Sequence, residues 1–223
     1  MAIKKYKAFL FDLNGTMIND MPYHIKAWHR ILNELGANLS IEKVKQECYG
    51  KNHELLERIF SGRFTEKEKD KMSLEKERQY QEEFRPHLKL INGLPRFLKR
   101  SNAAGIKMAI GSAAIMFNID FVLDGLGIRK YFDAIVSADD VKQSKPDAET
   151  WLKCAERLNI KHSDCIVFED SPKGAESALN AGIQCIIITT LHEKHEFSNY
   201  KNVIGFINDF EDSLIKHLLK TTD

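Results

Sequence analysis

The chain has 223 residues, room for one large domain or for a core with a smaller companion at roughly 150 residues per domain. Its 33 lysines and arginines balance 32 aspartates and glutamates, and the net charge of +1 argues against a nucleic-acid binder that works through a basic face. With 43% hydrophobic residues the composition excludes a disordered chain, and no run approaches the ~18 consecutive apolar residues of a membrane span.

Residues 1–7 carry Lys4, Lys5 and Lys7, but the apolar run that follows is only about four residues long and stops at Asp12, too short for a secretory signal. Cys48, Cys154, Cys165 and Cys185 form no C-x-x-C pair, and three of them fall in apolar segments. Free thiols in a reducing cytoplasm are expected.

In chain order, the first predicted strand is 7–12. Ala8-Phe9-Leu10-Phe11 is apolar on both faces, the pattern of a parallel strand covered on both sides. The next stretch breaks the rhythm. Between Met21 and Phe84 the chain has helical spacing and no strand pattern, with Trp28, Ile31, Leu32 and Leu35 at helical intervals. Residues 66–83 are so highly charged that they read as a solvated helix face. Pro86 and Asn92-Gly93 mark the return. Strands then follow at 106–111, 134–137, 165–168 and 184–189, with a weaker one, interrupted by Gly205, at 203–207. Helices lie between them at 94–104, 118–126, 148–158 and 174–181, bounded by Gly105, Gly127, Pro146 and Gly182.

Strand, helix, strand with short connections implies right-handed crossovers and a parallel sheet. The expected fold is α/β: a Rossmann-like parallel sheet flanked by helices, built from residues 1–16 and 88–223. An all-helical cap, residues 17–87, is inserted after the first strand. The carboxyl ends of parallel strands are where such sheets bind ligands, so an insertion there is placed to act as a lid.

Four short features fall at, or just after, strand ends: Asp12, Ser112, Lys145-Pro146 and Glu169-Asp170-Ser171. Read singly, each has a structural use. Asp12 can start an Asx turn or cap a helix, Ser112 can be an N-cap, Lys145 can be solvated, and Glu169 and Asp170 can sit in a polar turn. Together they converge on one mouth of the sheet. Three carboxylates on oxygen-rich loops suit a hard divalent cation, Mg²⁺ first of all. A lysine and a hydroxyl beside them suit a phosphoryl group.

These motifs resemble, in order and separation, those of the haloacid dehalogenase superfamily of phosphotransferases. Within it, the chain is most similar to the β-phosphoglucomutase-like group with a helical cap. The resemblance spans nearly the whole chain. Its motifs read Asp12-Leu13-Asn14-Gly15-Thr16, Ser112, Lys145-Pro146 and Glu169-Asp170-Ser171-Pro172-Lys173-Gly174, and Tyr23-His24-Ile25-Lys26-Ala27-Trp28 resembles the segment that enters the cap of the mutases. The resemblance implies that Asp12 is a nucleophile that forms an aspartyl-phosphate. It implies Mg²⁺ held by the Asp12 carboxylate, the Asn14 backbone carbonyl and Asp170, with Glu169 behind them or as a further ligand. Ser112 would bond a phosphoryl oxygen and Lys145 would neutralise charge. His24 would lie near the hinge, close to Asn14. The implied partner is a small phosphorylated metabolite, bound by a cytoplasmic monomer.

Two departures bear on activity. Asn14 stands where the group places the Asp that serves as general acid and base. An amide cannot carry a proton near pH 7, and loss of a positioned acid/base costs ~10²–10⁴ in rate, mostly on poor leaving groups. In Gly50-Lys51-Asn52-His53, His53 stands where the mutases place an arginine for the remote phosphate of the sugar. Lys51 supplies a charge without that arginine's bidentate fork. Ala113, Ala114 and Ile115 follow Ser112 where the group has polar and basic residues. The expected function is a Mg²⁺-dependent phosphohydrolase or phosphotransferase restricted to good leaving groups. The alternatives are a phospho-ligand-binding protein with little or no turnover, and a true sugar-phosphate mutase.

Overall fold

Continuous apolar runs set the sheet. The computed structural model describes residues 5–220. The chain runs β1 (Ala8–Phe11), α1 (Met21–Glu34), α2 (Ile41–Glu47), α3 (Asn52–Ile59), α4 (Glu66–Phe84), α5 (Leu94–Ala103), β2 (Lys107–Gly111), α6 (Met116–Gly125) and β3 (Ala134–Val136). It continues with α7 (Glu149–Arg157), β4 (Cys165–Glu169), α8 (Pro172–Asn180), β5 (Gln184–Ile188), β6 (Val203–Ile207) and α9 (Ser213–Lys220). The contacts divide it into two compact units, Met1–Asn19 with Lys89–Asp223, and Asp20–Leu88.

In the first unit the strands pair in parallel in the order β3-β2-β1-β4-β5-β6. This is the Rossmann-like α/β arrangement expected from the sequence. β1 lies inside the sheet, with Phe11 level with Ile110 of β2 and Phe168 of β4. All four of its side chains are fully buried, because both faces of the sheet are covered. Successive residues point to opposite faces. Ala8 and Leu10 join Val136, Trp151, Cys154, Val167 and Ile187 in an aliphatic core that also takes up the free thiols of Cys165 and Cys185. Phe9 and Phe11 belong to an aromatic layer on the other face. There Phe11 stacks on Phe168 at 4.8 Å and Phe9 on Phe97 at 5.2 Å, with Phe210 5.5 Å from Phe97.

The last strand is sound despite its glycine. β6 pairs with β5 past an irregularity at Cys185 and Ile186, and a Cβ on Gly205 would lie 2.4 Å from the Leu214 side chain. The glycine makes room for α9 to pack.

The second unit is helical. α1 buries Trp28, Ile31 and Leu32 of the stripe read from the sequence, adds Ile25, and leaves Leu35 half-buried just past its end. α4 has the expected solvated face, with Lys67, Asp70, Lys71, Glu75 and Arg78 exposed, but its other face, unforeseen from the sequence, buries Lys69, Ser73, Lys76, Glu77, Tyr80, Gln81 and Phe84. The charges tolerate burial because they are paired. Lys69 Nζ lies 2.6 Å from Glu57 and 2.9 Å from Glu66, and Lys76 Nζ lies 2.9 Å from Glu77. A capping box opens the helix, with Thr65 N donating to Glu68 Oε2 and Glu68 N donating to Thr65 Oγ1. No helix among the described residues is long and apolar enough to cross a membrane.

Phe168 is, with Phe11 and Phe97, one of the rings on which the aromatic layer is built. Phe168→Ala is expected to lower unfolding free energy by about 3–5 kcal/mol, read from the urea midpoint at unchanged slope.

Candidate active site

The sheet positions the first site residue directly. Asp12 N donates to Phe168 O at 2.9 Å, so the aspartate is held by the ladder at the carboxyl end of β1. The chain then turns tightly, with Met17 N donating to Leu13 O at 2.9 Å. Gly15 has φ +77°, and a Cβ there would lie 2.0 Å from Asp170 Oδ2. Only glycine suits both the backbone angle and the close approach. Thr190 Oγ1 fixes the turn from the other side by donating to Gly15 O at 2.7 Å.

β2 ends in the same way. Ser112 N donates to Val136 O at 2.9 Å, and the buried Ser112 Oγ accepts from Ala114 N at 3.1 Å. The hydroxyl proton therefore points elsewhere than at that amide. From the loop before α7, Lys145 Nζ donates to Asp12 Oδ1 and to Glu169 Oε1, both at 2.6 Å. Glu169 Oε2 accepts from Asp170 N at 2.9 Å, and from Ser171 N and Ser171 Oγ at 3.0 Å. Both oxygens of Glu169 are thus occupied by the protein. Its carboxylate rests on the first turn of α8, where a Cβ on Gly174 would come within 1.8 Å of its carbon.

The electrostatics follow from burial. Asp12 is pushed up to about 7, first by burial and then by Glu169, against the pull of Lys145. For Lys145, burial alone would favour the neutral amine. The Asp12 and Glu169 carboxylates outweigh that and hold it above its ordinary value, so it is an ammonium. Asp12, Glu169 and Asp170 each bring an oxygen within 4.8 Å of the others. Lys145 is bonded to two of these carboxylates, Asp12 and Glu169. The donor set is all oxygen, and Gly15 leaves Asp170 unobstructed, so the residues fit a hard divalent cation. Such a cation would supply the missing positive charge.

Residues 9–188 match the family of haloacid dehalogenase-like hydrolases. The chain belongs to that family. It is 28% identical over 189 residues to the fructose-1-phosphate phosphatase YqaB of Escherichia coli, a match that covers 84% of this chain and 99% of that protein. It is 30% identical over 185 residues to the beta-phosphoglucomutase of Bacillus subtilis, covering 79% and 80% of the two chains. Among solved structures, a HAD hydrolase of family IA, variant 3, from Entamoeba histolytica superposes with a TM-score of 0.84 at 27% identity over 97% of this chain and 99% of the other. In this haloacid dehalogenase-like company the chain is an enzyme of phosphatase or phosphomutase type.

The expected site residues divide between the units. Asp12, Lys145, Glu169 and Asp170 are brought together, and Asn14 and Ser112 lie on the loops that leave the same strand ends. His24, Lys51 and His53 belong to the helical unit. His24 is buried, its Nδ1 2.7 Å from Lys76 Nζ and its Nε2 3.2 Å from Asp20 Oδ2. An ammonium can only donate, so Nδ1 accepts and Nε2–H faces Asp20. The Tyr80 ring stacks on His24 at 3.7 Å, and its hydroxyl donates to Asp20 Oδ2 at 2.5 Å. Burial and Asp20 raise the Tyr80 hydroxyl well above its ordinary value and keep it a donor. Asn52 Nδ2 donates to Glu77 Oε1 at 2.7 Å. Sequence reading missed Asp20, Lys76, Glu77 and Tyr80. The Asp20–His24 spacing of four was the available signal. His53 has Glu66 and Asp70 each 3.0 Å from a ring nitrogen, and Lys51 N donates to Glu54 Oε2 at 2.9 Å as α3 begins.

Two outcomes follow. Gly15→Ala should weaken divalent-cation binding at least tenfold by calorimetry, because the new methyl group displaces Asp170. Asp12 takes up protons in the folded chain below about pH 7 but in the unfolded chain only below ~3.9. Its contribution to stability therefore falls as pH rises through that window when no cation is bound. The rise in thermal midpoint on adding Mg²⁺ should be larger at pH 8 than at pH 6, since binding must displace the proton.

Proposed function

We propose that the chain is a Mg²⁺-dependent phosphohydrolase that moves the phosphoryl group of a small phosphorylated metabolite first to Asp12 and then to water. The observation that carries this reading is the shared ammonium: Lys145 lies 2.6 Å from both Asp12 and Glu169. A buried carboxylate held by a fixed cation at a strand end is an anchored nucleophile.

In the first step the Asp12 carboxylate attacks phosphorus and the bond to the leaving oxygen breaks. In the second, water attacks the phosphorus of the acyl phosphate and the Asp12 carboxylate departs. Asp12, Asp170 and the Asn14 main-chain carbonyl would hold Mg²⁺, which shields the anionic nucleophile from the anionic substrate. Ser112, whose oxygen already accepts from Ala114 N, is free to turn its O–H toward a phosphoryl oxygen. Lys145 balances charge on Asp12 and on the transferred group. Glu169, with both oxygens occupied, holds Lys145 and the α8 turn in place rather than coordinating the cation.

The similarity to a fructose-1-phosphate phosphatase and a beta-phosphoglucomutase supports phosphorylated carbohydrates as the substrate class. Asn14 narrows it. Without a proton donor at that position, groups that leave as weak bases are favoured over plain sugar alcohols. Net phosphatase action is preferred to mutase action, because a mutase needs the same acid/base in both directions. Free thiols at Cys48, Cys154, Cys165 and Cys185 suit a cytoplasmic enzyme.

Asn14→Asp should raise turnover of alkyl phosphate esters about 10²-fold between pH 6 and 8, with acetyl phosphate changed only a few-fold. Asp12→Ala should abolish turnover of both. Ligand binding by the unaltered chain with no turnover of acetyl phosphate would overturn the reading, as would appreciable activity in Asp12→Ala.

A further inference from the structure

We infer that Trp151 is a positioning residue for phosphoryl transfer, an aromatic seat that holds the Lys145 ammonium between Asp12 and Glu169 and fixes the strand end that carries Ser112. Lys145 Nζ lies over the indole, 4.3 Å from the ring centroid. Trp151 is fully buried and Lys145 nearly so, which makes the attraction between cation and ring face stronger than it is in water. The two carboxylates hold the ammonium by its protons, and the ring supports it through its π face. Together they fix the position of a side chain with four rotatable bonds.

The same ring meets a second motif. A Cβ on Gly111 would lie 2.8 Å from Trp151 Cζ3. The residue immediately before Ser112 must therefore be a glycine for the strand to lie against the indole edge. One ring thus touches both groups assigned to the phosphoryl oxygens, Lys145 through its face and, with Cys154 and Thr150 beside it, the strand end before Ser112 through its edge.

The choice of tryptophan is informative. Among the described residues, nothing accepts a hydrogen bond from the buried indole N–H. A buried donor without an acceptor costs free energy, and phenylalanine would fill much of the same space without that cost. What the indole adds is the stronger quadrupole, since tryptophan is the best of the three aromatic partners for a cation.

This inference rests on the phosphoryl-transfer reading of Asp12 and Lys145, and the test separates the two. Mono-, di-, tri- and tetrafluorotryptophan are placed at position 151, which drains the quadrupole stepwise while the ring keeps its shape. With acetyl phosphate as substrate, kcat/KM should fall progressively, by about tenfold over the series. Trp151→Phe should retain more activity than Trp151→Leu at matched thermal midpoints. A flat fluorination series in an active enzyme overturns the inference, because a purely packing role does not depend on ring charge. Independently of turnover, the Lys145 Cε protons should resonate upfield through the ring current, a displacement kept in Trp151→Phe and lost in Trp151→Leu. If the parent chain does not turn over acetyl phosphate, the phosphoryl-transfer reading fails, and the Lys145 resonance alone then decides whether the seat exists: its absence upfield overturns the inference.

Discussion

The site is organised by a shortage of positive charge. Three buried carboxylates, Asp12, Glu169 and Asp170, meet where β1 and β4 end, and Lys145 is the ammonium bonded to two of them. In a low-dielectric setting that imbalance cannot be left to solvent. The surrounding features follow from it. Glu169 disperses its remaining charge over the backbone amides at the start of α8, Gly174 leaves room for it to do so, and the Gly15 turn brings Asp12 and Asp170 side by side. Asp12 nonetheless remains hard to ionise.

The helical unit has its own cluster. Asp20, His24, Lys76, Glu77 and Tyr80 are buried and joined to one another by hydrogen bonds and ion pairs. Burial disfavours the Glu77 carboxylate, but Lys76 and His24 more than compensate and hold it below its ordinary value. Lys76 Nζ faces one ring nitrogen of His24 and Asp20 Oδ2 faces the other.

Much of this was legible in the sequence. Strands apolar on both faces stood out in Ala8–Phe11 and Gln184–Ile188, and the charged residues that terminate β1 and β4 announced the site because burial and charge coincide there. Other parts were obscure for identifiable reasons. Residues 66–83 read as solvated because hydropathy counts Lys76 and Glu77 as polar whatever their partners, and His24 and Asp20 lie some fifty residues away in sequence. Trp151 carries no signal in the one-dimensional pattern, where nothing tells that its ring face meets an ammonium. Gly15 and Gly174 stand in the sequence motifs, but that Gly174 makes room for the Glu169 carboxylate is apparent only in three dimensions.

β1 sits inside the sheet, yet it is the first strand in the chain. Its first partner, β2, does not begin until Lys107, and its other partner, β4, not until Cys165. As the chain leaves the ribosome, Ala8–Phe11 is therefore an unsatisfied, wholly apolar segment through the synthesis of the entire helical unit, whose own contacts are local and quick to form. The strand that carries Asp12 can pair with β2 once residues 107–111 are made, but its second neighbour and the Glu169 and Asp170 carboxylates arrive only with β4.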